Sequence, residues 1–286
     1  MIITKLQGGL GNQMFQYAVG RFLVEKNKTT LKLDLSFYNK KQNGLQRNYS
    51  LNCFNIIKNI AKDDEINKLK KYKWEKGIKN FIHNLFFANK AIYIKEEQFN
   101  FNEKSINTSS NIYLDGYWQN EKYFKDIKNI LYDEFTLNNE SQVKNTKLEE
   151  EIKNSNSVSL HIRRTDYLIK SHKYEICNLE YYKKAIDKIA LTNKNIKIFI
   201  FSDDISWSKN NLKTNFPTTF ISNNKDYEDL ILMSLCKHNI IANSSFSWWG
   251  AWLNKNPNKI IITPKKWLNN STKNTKGLIP KSWIKM

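Results

Sequence analysis

Two adjacent arginines, Arg163 and Arg164, are the first residues of this sequence that suggest chemistry. The chain has 46 Lys and Arg residues together, of which only four are Arg. Arg163 and Arg164 lie in the segment His161–Asp166 (HIRRTD), directly after an apolar run that is typical of a strand. Arg used twice in succession in a lysine-rich chain indicates a need for the planar guanidinium, which grips phosphate through two parallel hydrogen bonds. The alternative is an exposed strand end with an Arg–Asp ion pair.

Two carboxylates, Asp203 and Asp204, follow a second apolar run, Ile196–Phe201. Adjacent carboxylates can hold a metal ion, but the chain contains no D-x-D motif, and we predict no metal site. A single carboxylate at a strand end can instead accept hydrogen bonds from the N1–H and amino groups of guanine. The alternative is that one of the two carboxylates caps the following helix.

A third segment, Asn243–Trp252 (NSSFSWWGAW), combines an amide, three hydroxyls and three tryptophans. Hydroxyls and backbone N–H groups at a strand-to-helix turn suit a diphosphate. Tryptophan more often belongs to the core than to a ligand platform, so we expect Trp248 and Trp252 to be buried. Strand ends that supply a bidentate cation, an acceptor carboxylate and a hydroxyl-rich turn together favour a nucleoside diphosphate.

The fourth segment is Gly8-Gly9-Leu10-Gly11-Asn12-Gln13, which holds three of the nine glycines of the chain. Glycine lets the backbone approach a ligand closely, and the helix that follows offers free N–H groups to an anion. The spacing matches neither the dinucleotide-binding fingerprint nor the P-loop. The alternative is a tight turn in which glycine is needed for a positive φ.

The elements that must position these residues alternate between strand and helix. Residues 2–6 and 31–35 are predicted strands, and Phe15, Ala18, Val19, Phe22 and Leu23 recur at helical spacing between them. In the second half, strands are predicted at 158–162, 196–201, 218–222, 238–242 and 260–263, and helices at 179–191, 226–237 (capped by Asp226, with Asp229 at its third position) and 247–253. This alternation predicts an α/β fold with two doubly wound units, 1–140 and 155–286, and a boundary within 138–157. Residues 40–110 remain unassigned.

The formal net charge of +19 comes from lysines scattered along the chain. Such a charge attracts phosphorylated donors and anionic membranes. No Arg-rich cluster or recognisable module indicates nucleic acid, which we do not expect as a partner. We expect a cytoplasmic protein for three reasons: the three cysteines lack paired spacing, the N-terminus does not resemble a signal peptide, and no long apolar window occurs. The segment 71–95 interleaves Lys with large apolar residues and suggests peripheral contact with an anionic membrane, the alternative being a helix packed on the domain.

Taken together, these residues resemble the alpha-1,2-fucosyltransferases of glycosyltransferase family eleven. The matching segments span nearly the whole chain: GGLGNQMFQYA (8–18), DGYWQ (115–119), HIRRTDY (161–167), FSDD (201–204) and NSSFSWWGAWL (243–253). The resemblance implies a GT-B architecture of two Rossmann-like domains with a cleft, a GDP-fucose donor, inversion at the anomeric carbon and no metal or other cofactor. It also implies that Arg163 contacts the pyrophosphate, while Asp203, His161 and the 243–246 turn hold guanine, ribose and phosphates.

We therefore predict transfer of L-fucose from GDP-fucose to the 2-hydroxyl of a terminal galactose in an oligosaccharide or glycolipid. Arg163 would stabilise the leaving group, and Asp166 or Asp115 would act as base. The predicted donor-binding residues are Gly9, Gly11, Asn12, His161, Arg163, Arg164, Asp203, Asn243, Ser244, Ser245 and Phe246. Two alternatives stay open: a GT-B transferase that uses another nucleotide sugar, and a basic non-catalytic protein that binds membrane or nucleic acid.

Overall fold

The structure, a computed structural model, describes residues 1–39, 46–71, 92–96, 101–103, 111–143, 146–169, 171–172, 174–269 and 277–286. The chain divides into two compact units. The first comprises Met1–Asn138 with Lys276–Leu278, and the second comprises Asn139–Thr275 with Ile279–Met286. The segment 138–157, in which we predicted the boundary, begins where the main part of the first unit ends.

Within its described residues, the first unit contains a parallel sheet in the order β2-β1-β4-β3. The strands are β1 (Ile2–Lys5), β2 (Leu31–Asp34), β3 (Ile92–Lys95) and β4 (Ile112–Asp115), and the helices are α1 (Leu10–Asn27), α2 (Asp63–Lys70) and α3 (Lys128–Glu134). The helical spacing predicted over α1 is confirmed, and four of its five apolar positions are fully buried while Phe22 is half-buried. Because β1 and β4 are parallel neighbours, the turns that follow them lie side by side at one edge of the sheet.

The second unit contains a parallel sheet in the order β10-β9-β8-β5-β6-β7. Its strands are β5 (Asn156–Ile162), β6 (Ile196–Ser202), β7 (Thr218–Ile221), β8 (His238–Ile240), β9 (Ile261–Thr263) and β10 (Ile284–Lys285). The chain runs outward from β5 through β6 to β7 and then returns to β8 on the other side of β5. This reversal makes the crevice between the carboxyl ends of β5 and β8 the place where open α/β sheets bind ligands.

The helices of the second unit cover both faces of the sheet. They are α4 (Thr146–Asn154), α5 (Thr165–Ile169), α6 (Leu179–Ala190), α7 (Ile205–Asn211), α8 (Asp226–Leu235) and α9 (Ser245–Leu253). One face of β5, with Val158, Leu160 and Ile162, packs in the core that includes α6. The prediction that Trp248 and Trp252 are core residues is confirmed, because they are 0% and 6% exposed.

The predicted helices differ from the structure in their caps and ends: α8 ends at Leu235 and not at Lys237, and α6 ends at Ala190 and not at Leu191. Asp226 does not cap helix α8 but is its first residue, and the cap residue is Lys225, whose backbone N–H donates to the carboxylate of Glu228 at 2.8 Å. Glu228, and not Asp229, therefore occupies the third position. Helix α9 begins two residues earlier than predicted, because the side chain of Ser244 accepts the N–H of Phe246 and caps it there.

Candidate active site

Arg163 lies in the turn directly after β5, between two carboxylates. Its Nη2 is 2.8 Å from Oδ1 of Asp166, and its Nε is 3.3 Å from Oδ2 of Asp203. Burial lowers the pKa of the Arg163 guanidinium, but Asp203 and Asp166 outweigh burial and raise it. Two anchored nitrogens fix the plane of the guanidinium. Its third nitrogen, Nη1, makes no hydrogen bond or ion pair with any residue that the structure describes. It remains available to a phosphate.

Asp203, at the end of β6, holds the turn after β5 in place. Its Oδ1 accepts the N–H of Arg164 at 2.9 Å. Its Oδ2 accepts both the N–H and the hydroxyl of Thr165, at 3.1 and 2.6 Å. Asp203 thus caps α5, the helix that follows the Arg pair, while the neighbouring Asp204 caps α7 by accepting the N–H of Trp207. Guanine recognition by Asp203 stays a prediction. What the structure shows is that this carboxylate positions the turn that carries Arg163 and Arg164.

Arg164 packs against an aromatic ring. The carbon of its guanidinium is 3.6 Å from the ring centroid of Trp207, and its Nε is 3.9 Å from Oδ2 of Asp204. A guanidinium at this distance over an indole ring gains cation–π attraction. Contact of Arg164 with the donor stays a prediction.

His161 is buried on the face of β5 opposite the core that includes α6. Its exposure is 3%, and its ring centroid is 5.6 Å from that of Phe246. Burial, reinforced by the charge of Arg163, lowers the pKa of His161 to about 3, so the ring is neutral at physiological pH. Its Nδ1 is buried and has no hydrogen-bond partner among the described residues. This leaves a polar group to be satisfied beside Arg163.

Asn243 follows β8 and anchors two loops. Its amide donates to the carbonyls of Glu175 and Trp267, at 2.7 and 2.9 Å. The hydroxyl of Tyr167 donates to the carbonyl of Asn243 at 2.9 Å. The side chain predicted to bind the donor is therefore engaged within the protein, and it shapes the turn on which Ser244 and Ser245 lie.

The amino end of α9 lies at the carboxyl end of β8, next to the switch point. Ser244 caps this helix, and Ser245 and Phe246 form its first turn. The first N–H groups of a helix lack intrahelical partners and carry positive partial charge, so this end attracts anions. Together with Arg163 it provides two independent means of stabilising a phosphate at the same crevice.

In the first unit, the glycine-rich segment forms the turn from β1 into α1. Gly8 has φ +79°, and a Cβ there would lie 2.6 Å from Nδ2 of Asn12, so both space and conformation require glycine. Gly9 is extended before the helix, and Gly11 is buried within it. The amide of Gln119, in the turn after β4, donates to Oδ1 of Asn12 at 2.7 Å. The turns after β1 and β4 therefore contact each other through side chains.

The two predicted bases both make ion pairs. Asp115 accepts a hydrogen bond from Tyr93 at 2.6 Å and pairs with Lys5 at 3.1 Å. Asp166 pairs with Arg163 at 2.8 Å. The structure thus brings Asp166 into contact with Arg163, and it places Asp115 in the first unit; the role of base stays a prediction for each.

The sequence interpretation missed Thr165, Trp207 and Glu96. Thr165 and Trp207 make their contacts with residues about forty positions away along the chain: Thr165 donates two hydrogen bonds to Asp203, and Trp207 packs on Arg164. A sequence signal existed only for Trp207, which stands at the third position after a capping Asp. Glu96 contacts the backbone of the turn after β4.

The described part of the chain contains no group of three or more His, Cys, Asp or Glu side chains that could hold a metal ion. Among the helices that the structure describes, none is both long and apolar enough to span a bilayer.

A doubly wound sheet with an Arg, a helix amino end and a buried His at its switch point is an arrangement typical of nucleotide-binding α/β enzymes. The model of the family Glycosyl transferase family 11 matches residues 1–286, and the chain belongs to this family. The resemblance seen in the sequence is thereby confirmed, and the alternative of a non-catalytic binding protein is replaced by a glycosyltransferase.

Three known proteins show the extent of the similarity. The chain is 33% identical to the O-antigen biosynthesis glycosyltransferase WbnK of Escherichia coli, over 98% of this chain and 99% of that protein. It is 35% identical to an alpha-1,2-colitosyltransferase of Escherichia coli, over 100% and 99% of the two chains. The alpha-1,6-fucosyltransferase NodZ from Bradyrhizobium, solved after soaking with GDP-fucose, has a TM-score of 0.52 at 15% identity, over 88% of this chain and 91% of that one. This last likeness shows the fold.

Proposed function

We propose that the protein transfers L-fucose from GDP-fucose to the 2-hydroxyl of a terminal galactose, with inversion at the anomeric carbon. The observation that carries the proposal is the arrangement at the switch point of the second sheet, where the fixed guanidinium of Arg163 and the amino end of α9 lie at adjacent strand ends. Membership of the family and the similarity to an alpha-1,2-specific relative support the reaction type. A GT-B architecture is part of the proposal, supported by the fold likeness to NodZ.

In the proposed mechanism, GDP departs as negative charge develops on its pyrophosphate. Arg163 and the N–H groups at the amino end of α9 stabilise that charge without reorganisation, because the ion pairs with Asp166 and Asp203 already orient the guanidinium. The fucosyl centre becomes cationic as the bond to GDP lengthens. The galactose hydroxyl attacks the opposite face and loses its proton to a carboxylate, for which Asp166 and Asp115 are our candidates.

The proposal includes independence from metal ions, because Arg163 and the helix amino end supply the positive charge that a divalent ion supplies in other transferases. Turnover of GDP-fucose with lactose should continue in excess EDTA. Loss of turnover in EDTA, with recovery on addition of Mg²⁺ or Mn²⁺, would contradict this part of the proposal.

The experiment that tests the reaction uses GDP-fucose with lactose and with a lactose analogue that lacks the 2-hydroxyl on its galactose. We expect a single trisaccharide from lactose, whose NMR spectrum shows an α-linkage to the galactose 2-position, and no product from the analogue. Product formation on the 2-deoxy analogue, or a linkage to another hydroxyl, would contradict the proposal.

A second candidate donor is the GDP derivative of colitose, favoured by the 35% identity to a colitosyltransferase. Colitose differs from fucose by the loss of the hydroxyl at C3. A site that hydrogen-bonds a substrate hydroxyl rejects the analogue without it by about 10⁴–10⁵, whereas an apolar pocket rejects an added hydroxyl by only about 10². The ratio of kcat/KM for the two donors, measured on lactose, therefore identifies the natural donor and indicates what surrounds C3.

A further inference from the structure

Tyr117 is an exposed aromatic residue in the turn after β4, between two buried neighbours. Its exposure is 37%, whereas Gly116 is buried and Trp118 is 1% exposed. Among the large apolar side chains that the structure describes as exposed, Tyr117 alone is aromatic. The turn thus leaves the side chain of Tyr117 partly exposed while it buries the residues on either side.

Holding the turn in this conformation is costly. Trp118 has φ +57°, in the left-handed region, which costs a bulky residue about 1–3 kcal/mol. Gly116 has no room for a side chain, because a Cβ there would lie 2.3 Å from Cβ of Glu96. Such strain persists only where the surroundings enforce it, and it concentrates at functional sites.

Glu96, directly after β3, enforces this conformation. Its Oε2 accepts the N–H of Tyr117 at 2.6 Å and the N–H of Trp118 at 2.9 Å. Burial raises the pKa of the Glu96 carboxyl, although the two N–H groups act in the opposite direction. A half-buried carboxylate therefore fixes the backbone N–H groups of the exposed residue and of the buried residue that follows it.

Polar side chains hold the backbone at this edge of the first sheet. The amide of Gln16 donates to the carbonyl of Gly116 at 3.1 Å, and the hydroxyl of Tyr38 donates to the carbonyl of Gly8 at 3.1 Å. With the amides of Asn12 and Gln119, which are bonded to each other, the turns after β1 and β4 carry hydroxyl and amide groups at the edge where Tyr117 is exposed.

An aromatic face bordered by hydroxyls and amides matches a neutral sugar. One face of galactopyranose presents the C–H groups at C3, C4 and C5 and is apolar, whereas the rim of the ring carries hydroxyls that seek hydrogen bonds. Aromatic residues contribute large contact area at low entropic cost, and a few polar groups fix orientation.

We propose that Tyr117 is the stacking platform for a sugar ring of the acceptor and that Glu96 is the residue that positions it. The identification of that sugar as galactose rests on the proposed function; the platform itself rests on the geometry of the turn. Glu96 acts through the backbone of Tyr117 and Trp118 and does not touch substrate.

The test compares Tyr117→Ala with Tyr117→Phe. We expect the alanine variant to raise the KM for lactose on the order of tenfold to a hundredfold, since it loses one aromatic contact, while kcat and the Kd for GDP change less than twofold. The phenylalanine variant should stay near the wild type. An unchanged lactose KM in a folded Tyr117→Ala protein would overturn the proposal, and so would an equal loss of GDP binding, because the ring would then serve the donor.

Glu96 is tested by rescue. Glu96→Ala should raise the lactose KM as Tyr117→Ala does, whereas Glu96→Gln should restore it, because one amide oxygen can accept both N–H groups. A collapse of kcat in Glu96→Gln with an unchanged lactose KM would overturn the positioning role and indicate a general base.

Direct binding separates this inference from the proposed function. Saturation-transfer NMR with lactose, maltose and cellobiose, in the presence of GDP, reports sugar binding without turnover. Binding of any of these sugars that is lost in Tyr117→Ala supports the platform, even if fucose is never transferred to lactose. Sugar binding of equal strength in the wild type and Tyr117→Ala would refute the platform, even if the proposed reaction takes place.

Discussion

Asp203 accepts three hydrogen bonds from the backbone and side chain of the turn that carries the Arg pair. In Asp203→Asn, an amide nitrogen replaces one carboxylate oxygen, so at least one of these donors then faces another donor. The less costly arrangement keeps the oxygen at Thr165 and gives up the bond to Arg164. The ion pair with Arg163 is weakened in either arrangement, because the negative charge is gone.

The magnitude follows from these contacts. One mispaired donor costs about 1–3 kcal/mol, and the lower part of that range applies here because the side chain of Asp203 is 15% exposed, so that water can reach it. We therefore expect the free energy of unfolding to fall by about 1–2 kcal/mol. If the weakened turn costs Arg163 the same free energy in its contact with the diphosphate, the Kd for GDP rises about fivefold to thirtyfold.

Calorimetric titration with GDP and with inosine diphosphate separates positioning from guanine recognition. Inosine diphosphate lacks the exocyclic amine of guanine but keeps the diphosphate. If Asp203 acts by positioning Arg163, the Asp203→Asn substitution weakens both ligands by the same factor. Asp187→Asn, at an exposed position of α6, is the control for the loss of one negative charge and should leave both affinities unchanged.

Two outcomes would refute the reasoning. Binding of both ligands at wild-type strength by a folded Asp203→Asn protein would show that the turn does not depend on this carboxylate. A selective loss of GDP affinity, with inosine diphosphate less affected, would show that Asp203 reads the base, as the family resemblance implies.

Three further predictions concern other parts of the chain. Arg163→Lys keeps the charge but loses the planar fork, so kcat/KM with GDP-fucose should fall on the order of tenfold to a hundredfold; turnover at the wild-type rate would exclude a bidentate contact. His161 binds a proton below about pH 6.5 in the unfolded chain, but only near pH 3 in the folded chain, where it is buried. Acidification between these two values therefore lowers the free energy of unfolding by up to ~1.4 kcal/mol per pH unit. Chemical denaturation of His161→Gln at pH 7 and 5 should show a smaller pH slope than the wild type, whereas the exposed control His172→Gln should not; equal slopes would contradict the neutral buried state. Finally, the segment 71–95, most of which lies outside the described residues, predicts sedimentation with anionic but not neutral vesicles, reversed by high salt; no sedimentation at low salt would contradict it.

The parts of the fold that could be predicted were those with strong periodicity. Strands β5 and β6 are apolar runs bounded by polar residues, and α1 repeats apolar residues at helical spacing. Helix starts were less predictable, because a cap depends on which of several nearby polar side chains reaches the first N–H groups. At α8, three acidic residues compete within the first turn, and Glu228 makes the contact that was assigned to Asp229.

The site could be predicted only as a set of strand ends. Parallel strands bring their carboxyl ends to one edge, so the sequence was enough to group Arg163, Asp203 and Ser244. It could not show that Asp203 binds the backbone of Arg164 and Thr165, because that contact depends on the register between β5 and β6. The exposure of Tyr117 was likewise hidden, since a sequence does not show which aromatic residues the core excludes.

The proposed anion site carries carboxylates although the chain has a net charge of +19. Two guanidinium groups there face three carboxylates, so the site has no excess of positive charge. Scattered lysines raise the local concentration of any anion, but a point charge on a flexible stem selects none of them. Because the carboxylates hold Arg163 in one orientation, a ligand gains from it only if its oxygens meet the remaining N–H groups in that plane. We therefore expect selectivity among anions to come from the ion pairs that reduce the net charge of the site. In Asp166→Asn, the ratio of the pyrophosphate Kd to the GDP Kd should fall by a larger factor than that by which either Kd rises.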